Sequence, residues 1–151
     1  MNIIAVEFND SRWKNTIHFA EKCSWKAGPF LAKEMKENKF TDWERVFIAF
    51  EDDRIIGYCA IREKDYIPHV EYSPYIGFVF VDENYRGNRI SELLINYAIE
   101  YAKGIGFKEV FLVSSEEGLY EKYNFYKIDE KYDVWGNKQK IFKQEICEMN
   151  S

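Results

Sequence analysis

The strongest constraint on how this chain folds lies between residues 75 and 115. An apolar run, Tyr75 to Val81, stops at Asp82. After a polar loop, Ile90, Leu93, Leu94, Tyr97, Ala98, Tyr101 and Ala102 recur at the spacing of one apolar helical stripe. Lys103 falls in the last turn, and Gly104 is the expected stop. A second apolar run, Glu109 to Ser115, follows. Strand, helix, strand makes a βαβ unit, because parallel strands need a crossover of about a dozen residues or more. The two strands are therefore predicted to be parallel neighbours.

The flanking segments read as antiparallel pieces and short helices. Ile3 to Phe8 predicts a first strand, broken by Asn9 and Asp10. Ser11 is the expected cap of a helix carrying Trp13, Ile17 and Ala20 on one face. Gly28-Pro29 opens a second helix with Leu31 and Met35, ending near Asn38. Two apolar runs around Glu51-Asp52-Asp53-Arg54 predict a hairpin. Past Ser115, a plausible cap with Glu116 and Glu117 in the first turn, a short helix ends at Asn124, which tolerates the left-handed conformation. A last hairpin turns at Trp135-Gly136-Asn137 and runs to Cys147. No repeat or linker interrupts the chain, so one mixed α/β domain over residues 1–151 is expected.

Composition narrows the function. A chain of 151 residues buries roughly 70% of its unfolded surface and needs no disulfide or metal to hold a core. Its net charge of −5 argues against nucleic acid or an anionic membrane as the main partner. Cys23, Cys59 and Cys147 are far apart, with no CxxC or histidine cluster near them, so no metal site is expected and the thiols read as structural. No charged-then-apolar leader opens the chain and no apolar run nears a membrane span, which predicts a cytoplasmic protein.

The loop that opens the crossover helix raises a chemical question. Arg86 and Arg89 bracket Gly87 and Asn88 just before Ile90. A helix start presents unpaired N–H groups and the positive end of its dipole. Glycine lets a ligand approach the backbone, and arginine forks match phosphate oxygens. Two readings stand on the residues alone: a pyrophosphate cradle, or a strand-to-helix turn with two solvated arginines. The familiar alternatives are absent, since the chain has neither GxxxxGK[ST] nor GxGxxG.

The stretch VDENYRGNRISELLI resembles the acyl-CoA-binding signature of the GNAT superfamily of N-acyltransferases, and LYEKYNF resembles that family's later Tyr-Glu-Lys-x-Gly-Phe segment. The order of elements between and around them is similar too. Here Arg89 takes the place of the loop's second glycine, Ser91 that of a later glycine or alanine, and Asn124 that of the glycine before Phe125. The family's asparagine after the fifth strand has no clear counterpart, with Ser114 or Ser115 in its place.

The resemblance implies a twisted, mostly antiparallel sheet whose fourth and fifth strands are parallel and splay around the cofactor, with helices on both faces. It implies acetyl-CoA as acyl donor, Val79, Phe80 and Val81 pairing with the pantetheine amides, and Arg86, Gly87, Asn88, Arg89, Ile90 and Ser91 holding the pyrophosphate, with Ser115 nearby. An amine would attack the thioester directly. Tyr120 matches the tyrosine that protonates the leaving sulfur. Members often place a basic carboxylate on the fourth strand, but Tyr75 to Val81 contains none, which leaves Glu71 and His69 in the preceding loop as candidates. Trp25, Phe30, Phe40 and Tyr66 could line an acceptor pocket, and the acidic balance favours a cationic small-molecule or peptide amine. A catalytically silent acyl-CoA sensor of the same fold, and pairing with a second copy, both remain open at this stage.

Overall fold

Residues 1–146 are described in the computed structural model of the chain. β1 (Asn2–Val6) leads into α1 (Ser11–Lys22) and α2 (Gly28–Lys36), and β2 (Arg45–Glu51) turns into β3 (Arg54–Arg62). β4 (Tyr75–Val81), α3 (Ile90–Gly104) and β5 (Glu109–Ser114) form the crossover, and β6 (Tyr126–Tyr132) and β7 (Lys138–Glu145) follow. The sheet has seven strands in the order β1-β2-β3-β4-β5-β7-β6. β4 and β5 run parallel, with Tyr75 opposite Phe111. The β1–β2, β2–β3, β5–β7 and β6–β7 pairs are antiparallel. Cys147, assigned to the last strand from the sequence, lies outside the described residues. Among the described residues, no helix is long and apolar enough to cross a membrane.

Two compact units organise these elements: Met1–Ile61 with Phe78–Ala98, and Arg62–Gly77 with the chain from Ile99. In the first, strand alternation splits the side chains between two faces. Val46, Ile48, Tyr58 and Ala60 pack with Trp13, Ile17 and Ala20 of α1 and Leu31, Ala32 and Met35 of α2. On the other face, the Cys59 thiol reaches the Leu94 carbonyl and Phe47 meets Tyr97 edge-on at 5.5 Å, which seats the first half of α3. Helices thus cover both faces. The Trp13 indole donates to the Met35 carbonyl at 3.1 Å, tying α1 to α2.

Local details of the first unit and of α3 depart from expectation in three places. Asp10, not Ser11, caps α1: its backbone is extended and its carboxylate accepts the Arg12 N–H at 2.9 Å. A carboxylate suits the positive end of the dipole better than a hydroxyl. In α3 the buried stripe is Ile90, Leu94, Ile95, Ala98, Ile99 and Ala102, whereas Leu93 and Tyr97 are 44% and 40% exposed. The stripe is rotated because the helix carries more apolar residues than one face needs, so periodicity alone does not fix which edge turns inward. The chain also leaves α3 beyond Gly104, with the Phe107 N–H bonding back to the Ala102 carbonyl at 3.0 Å.

The second unit gathers Ile67, Tyr75, Phe111 and Ile141, with Val70, Tyr72, Val113 and Ile128 against them. Its closing hairpin is set by Asp133, whose Oδ1 accepts N–H groups of Trp135 and Asn137 at 3.0 and 2.9 Å. The short helix after β5 is a single 3-10 turn, Tyr120–Tyr123, ended by Asn124 at φ 73° in the left-handed region. Ser115 does not cap it. Ser114 Oγ instead accepts the Glu116 N–H at 3.0 Å, and Leu119 precedes the turn.

Candidate active site

The first unit brings the whole expected phosphate loop together. Asp82 ends β4, its N–H bonded to the Ile56 carbonyl at 2.8 Å, and its carboxylate accepts the Asn84 N–H to start a 3-10 turn over Glu83–Tyr85. Arg86 then folds back: its Nε donates to the Val81 carbonyl at 3.0 Å and its guanidinium carbon lies 5.6 Å from the Phe80 ring centroid. Those two contacts fix the side chain at the end of the strand and leave its terminal nitrogens for another acceptor. Gly87 sits at φ +89°, and the direction its Cβ would take is open. The bare backbone therefore faces free space, as an incoming anion requires. Asn88 donates its side-chain amide to the Tyr85 carbonyl at 3.1 Å, closing the loop.

Arg89 adopts φ +61°, a conformation that glycine takes without cost and an arginine takes at about 1–2 kcal/mol. Its Nε donates to Glu92 Oε1 at 2.6 Å, and its side chain is 77% exposed. Part of its charge is thus answered within the first turn of α3, where hydrogen bonding begins with the Leu93 N–H on the Arg89 carbonyl at 3.1 Å. Ile90 is buried and anchors the helix start, and Ser91 is half-buried beside it.

Upstream of the loop, β4 contains a feature no sequence signal announced. Phe78 has φ +52° in the middle of a strand, a strained state for an aromatic residue. It interrupts alternation just before Val79–Val81. Phe80 and Val81 bury their side chains, Phe80 stacking on Trp25 at 5.9 Å and 7°, so their contribution to a ligand falls to the backbone. Trp25 and Phe40 belong to the first core, which removes them from an acceptor pocket, and Phe30 is exposed.

The second unit holds the other expected residues. Tyr120 is half-buried, its ring 5.9 Å from Phe142, 6.4 Å from Phe125 and 6.0 Å from Tyr123. Ser115 is exposed, its carbonyl taking the Lys140 ammonium at 3.2 Å. Glu71 and His69 are exposed as well, His69 at φ +64°. Tyr66 lies against Trp135 at 4.9 Å.

A group that the sequence reading passed over is more buried than either of those two. Asp65 Oδ1 accepts the Tyr66 N–H at 2.6 Å, and burial raises its carboxyl above the ordinary aspartate range, with Arg62 opposing and Asp133 adding to the shift. Its Oδ2 stands 3.3 Å from where a Cβ of Gly77 would be. Glycine inside an apolar strand is the sequence sign of such a close approach. Nearby, Tyr72 stacks on Phe111 at 5.0 Å and donates to Asp129 Oδ2 at 2.9 Å, which lowers the Asp129 pKa. Tyr75 is 2% exposed and, among the described residues, its hydroxyl has no hydrogen-bond partner. Burial and the charges of Asp65 and Asp129 push its pKa up. Such an orphan hydroxyl costs about 1–3 kcal/mol.

A family model described as the Acetyltransferase (GNAT) family matches residues 10–127, and the chain belongs to that family. Among solved structures, an aminoglycoside 6'-acetyltransferase type Ii is similar with TM-score 0.76 at 17% identity, over 99% of this chain and 100% of that one. An aminoglycoside 6'-N-acetyltransferase complexed with coenzyme A has TM-score 0.73 at 15% identity, over 100% of both chains. Another, from Enterococcus faecium, has TM-score 0.73 at 16% identity, again over 100% of both. Likeness at these identities is likeness of fold. Comparison with curated proteins gave no match.

Proposed function

We propose that the chain is an N-acetyltransferase that moves the acetyl group of acetyl-CoA to a primary amine of a small molecule or peptide by direct attack. The observation that carries this reading is the loop from Arg86 to Ser91. It combines an open backbone at Gly87, an exposed arginine tethered by Nε, and the start of a long helix. Those are the donors a pyrophosphate needs, and the nearby backbone of Val79, Phe80 and Val81 suits the amides of a pantetheine arm. Ile90 and Ser91 complete the cradle, and Ser115 is a further CoA contact in this reading.

Direct attack needs a group to take the amine's proton and one to protonate the thiolate. Tyr120 supplies the second proton in this proposal, its ring held by Phe142 and Phe125. Exposed Glu71 and His69 are suited to passing the first proton on to water. A cytoplasmic setting belongs to the same proposal. The test is free-thiol release from acetyl-CoA with 1,4-diaminobutane, spermidine, kanamycin and a lysine peptide. Amine-dependent release is the expected result. Tight CoA binding without any amine-dependent thiol would instead make the protein an acyl-CoA-binding module.

A further inference from the structure

A cleft of about 240 Å³ opens within the first unit, where the turn after β1, the start of α1 and the segment between α2 and β2 converge. It is smaller than the usual site for a drug-sized ligand and suits a compact headgroup. Three aromatic rings line it. Trp13 is buried, its indole N–H held by the Met35 carbonyl at 3.1 Å. Phe8 and Phe40 stand nearly upright on the indole, with centroids 5.7 and 5.6 Å away and planes at 73° and 83°. Rings set at right angles make a corner, not a stack. Phe8 is 58% exposed and Phe40 is half-buried, so both keep surface for a ligand. The same lining carries the carboxylates of Glu7, Asp42 and Glu44 against one cation, Arg45. Arg45 is turned to the main chain, donating to the carbonyls of Asp42 and Glu44. Glu44 is 6% exposed, and its Oε1 accepts the Thr41 N–H at 2.9 Å. A nearly buried carboxylate beside aromatic rings favours a cation over an anion or a neutral guest.

We propose that this cleft binds a quaternary ammonium headgroup of the choline type. Carboxylates alone attract any cation, and the rings select among them. A quaternary ammonium is weakly hydrated and spreads its charge over methyl groups, so aromatic faces readily replace its water. A primary ammonium is a compact, strongly hydrated charge with three N–H donors, and it needs acceptors close at hand. Glu44 has given one oxygen to Thr41, and Glu7 and Asp42 are exposed, so these carboxylates supply field more than a ring of acceptors. The site goes beyond the acetyltransferase reading and does not depend on it. No bond is made or broken there; the headgroup is held, not transformed.

Three ligands titrated into the wild-type chain by calorimetry test the headgroup without any variant: choline, ethanolamine, and 3,3-dimethylbutan-1-ol, the uncharged carbon isostere of choline. Choline is expected to bind saturably, and the isostere and ethanolamine at least about tenfold more weakly. Two variants then test the place. Phe8→Leu keeps an apolar side chain at an exposed position and removes one ring. Choline affinity should fall about two- to thirtyfold, the range of one cation–aromatic contact, in a protein that melts with the wild type. Glu44→Gln still accepts the Thr41 N–H and loses the charge, so it should weaken choline and leave the isostere unchanged. No saturable heat with choline, equal binding of choline and its isostere, or tighter binding of ethanolamine overturns the headgroup. Choline binding unaltered in both variants overturns the place.

Discussion

Taking a carboxyl out of water penalises its charged form, and for Asp65 the resulting cost in stability has a definite pH dependence. Burial raises the folded-state pKa of Asp65 above its unfolded value. Below the unfolded pKa both states are protonated and no penalty exists; as pH rises through the folded pKa the charged form must be buried and stability is lost. Asp65→Asn is therefore expected to melt higher than wild type at pH 7–8 and to match it near pH 3–4. Each unit by which the folded pKa exceeds the unfolded one is worth about 1.4 kcal/mol, or roughly 3–6 °C in a chain of this size. Melting curves at both pH values check it, and a variant less stable at neutral pH would mean that Asp65 is held for structure. The sequence carried one half of this arrangement, a glycine inside an apolar strand. The other half was illegible, because Asp65 and Gly77 are twelve positions apart and nothing local says which loop side chain folds over the gap.

At the scale of elements, the loop between β4 and α3 shows why two arginines of equal charge are unequal. Arg86 is tethered to Val81 and lies over Phe80, so little freedom remains to be lost on binding phosphate. Arg89 is exposed and already paired with Glu92. Arg86→Ala is expected to weaken CoA binding about ten- to a hundredfold, the equivalent of one charge-assisted contact, and Arg89→Ala by less than about fivefold, near the value of an exposed ion pair. Calorimetry with CoA and with pantetheine checks this: equal losses for both ligands after Arg86→Ala would remove the phosphate assignment. The same scale governs Tyr120. Tyr120→Phe should lower turnover about 10²–10⁴-fold at unchanged CoA affinity, and Tyr123→Phe should leave it near normal even though the two rings touch edge-on. Equal defects in the two variants would refute the acid role. Most element identities were readable, since β4 spans the residues its apolar run predicts and Asn124 takes the left-handed turn, although the short helix before Asn124 is only a 3-10 turn. Helix orientation was less so, with Ile95 and Ile99 buried in place of Leu93 and Tyr97, because which edge of a wide apolar face turns inward is decided by the strands beneath it.

The whole molecule sets opposite conditions for the two reactants. With 26 acidic and 21 basic side chains it carries −5, so its general field draws a cationic amine and repels anionic CoA. CoA affinity must then come from the local cradle, where short-range arginine and backbone contacts outweigh a diffuse repulsion. For the amine, the general field of the chain is attractive. Salt separates the two cases, because the screening length shrinks from roughly 20 Å near 20 mM to below 10 Å near 300 mM. Over that range KM for a dicationic amine such as 1,4-diaminobutane is expected to rise severalfold at constant kcat, and KM for a monocation of similar size to rise less. The Kd of CoA should change least, as screening weakens the repulsion and the cradle's attraction together. Steady-state kinetics at several ionic strengths measure all three. Identical salt responses for the monocation and the dication would show that the acceptor meets no accumulated negative charge.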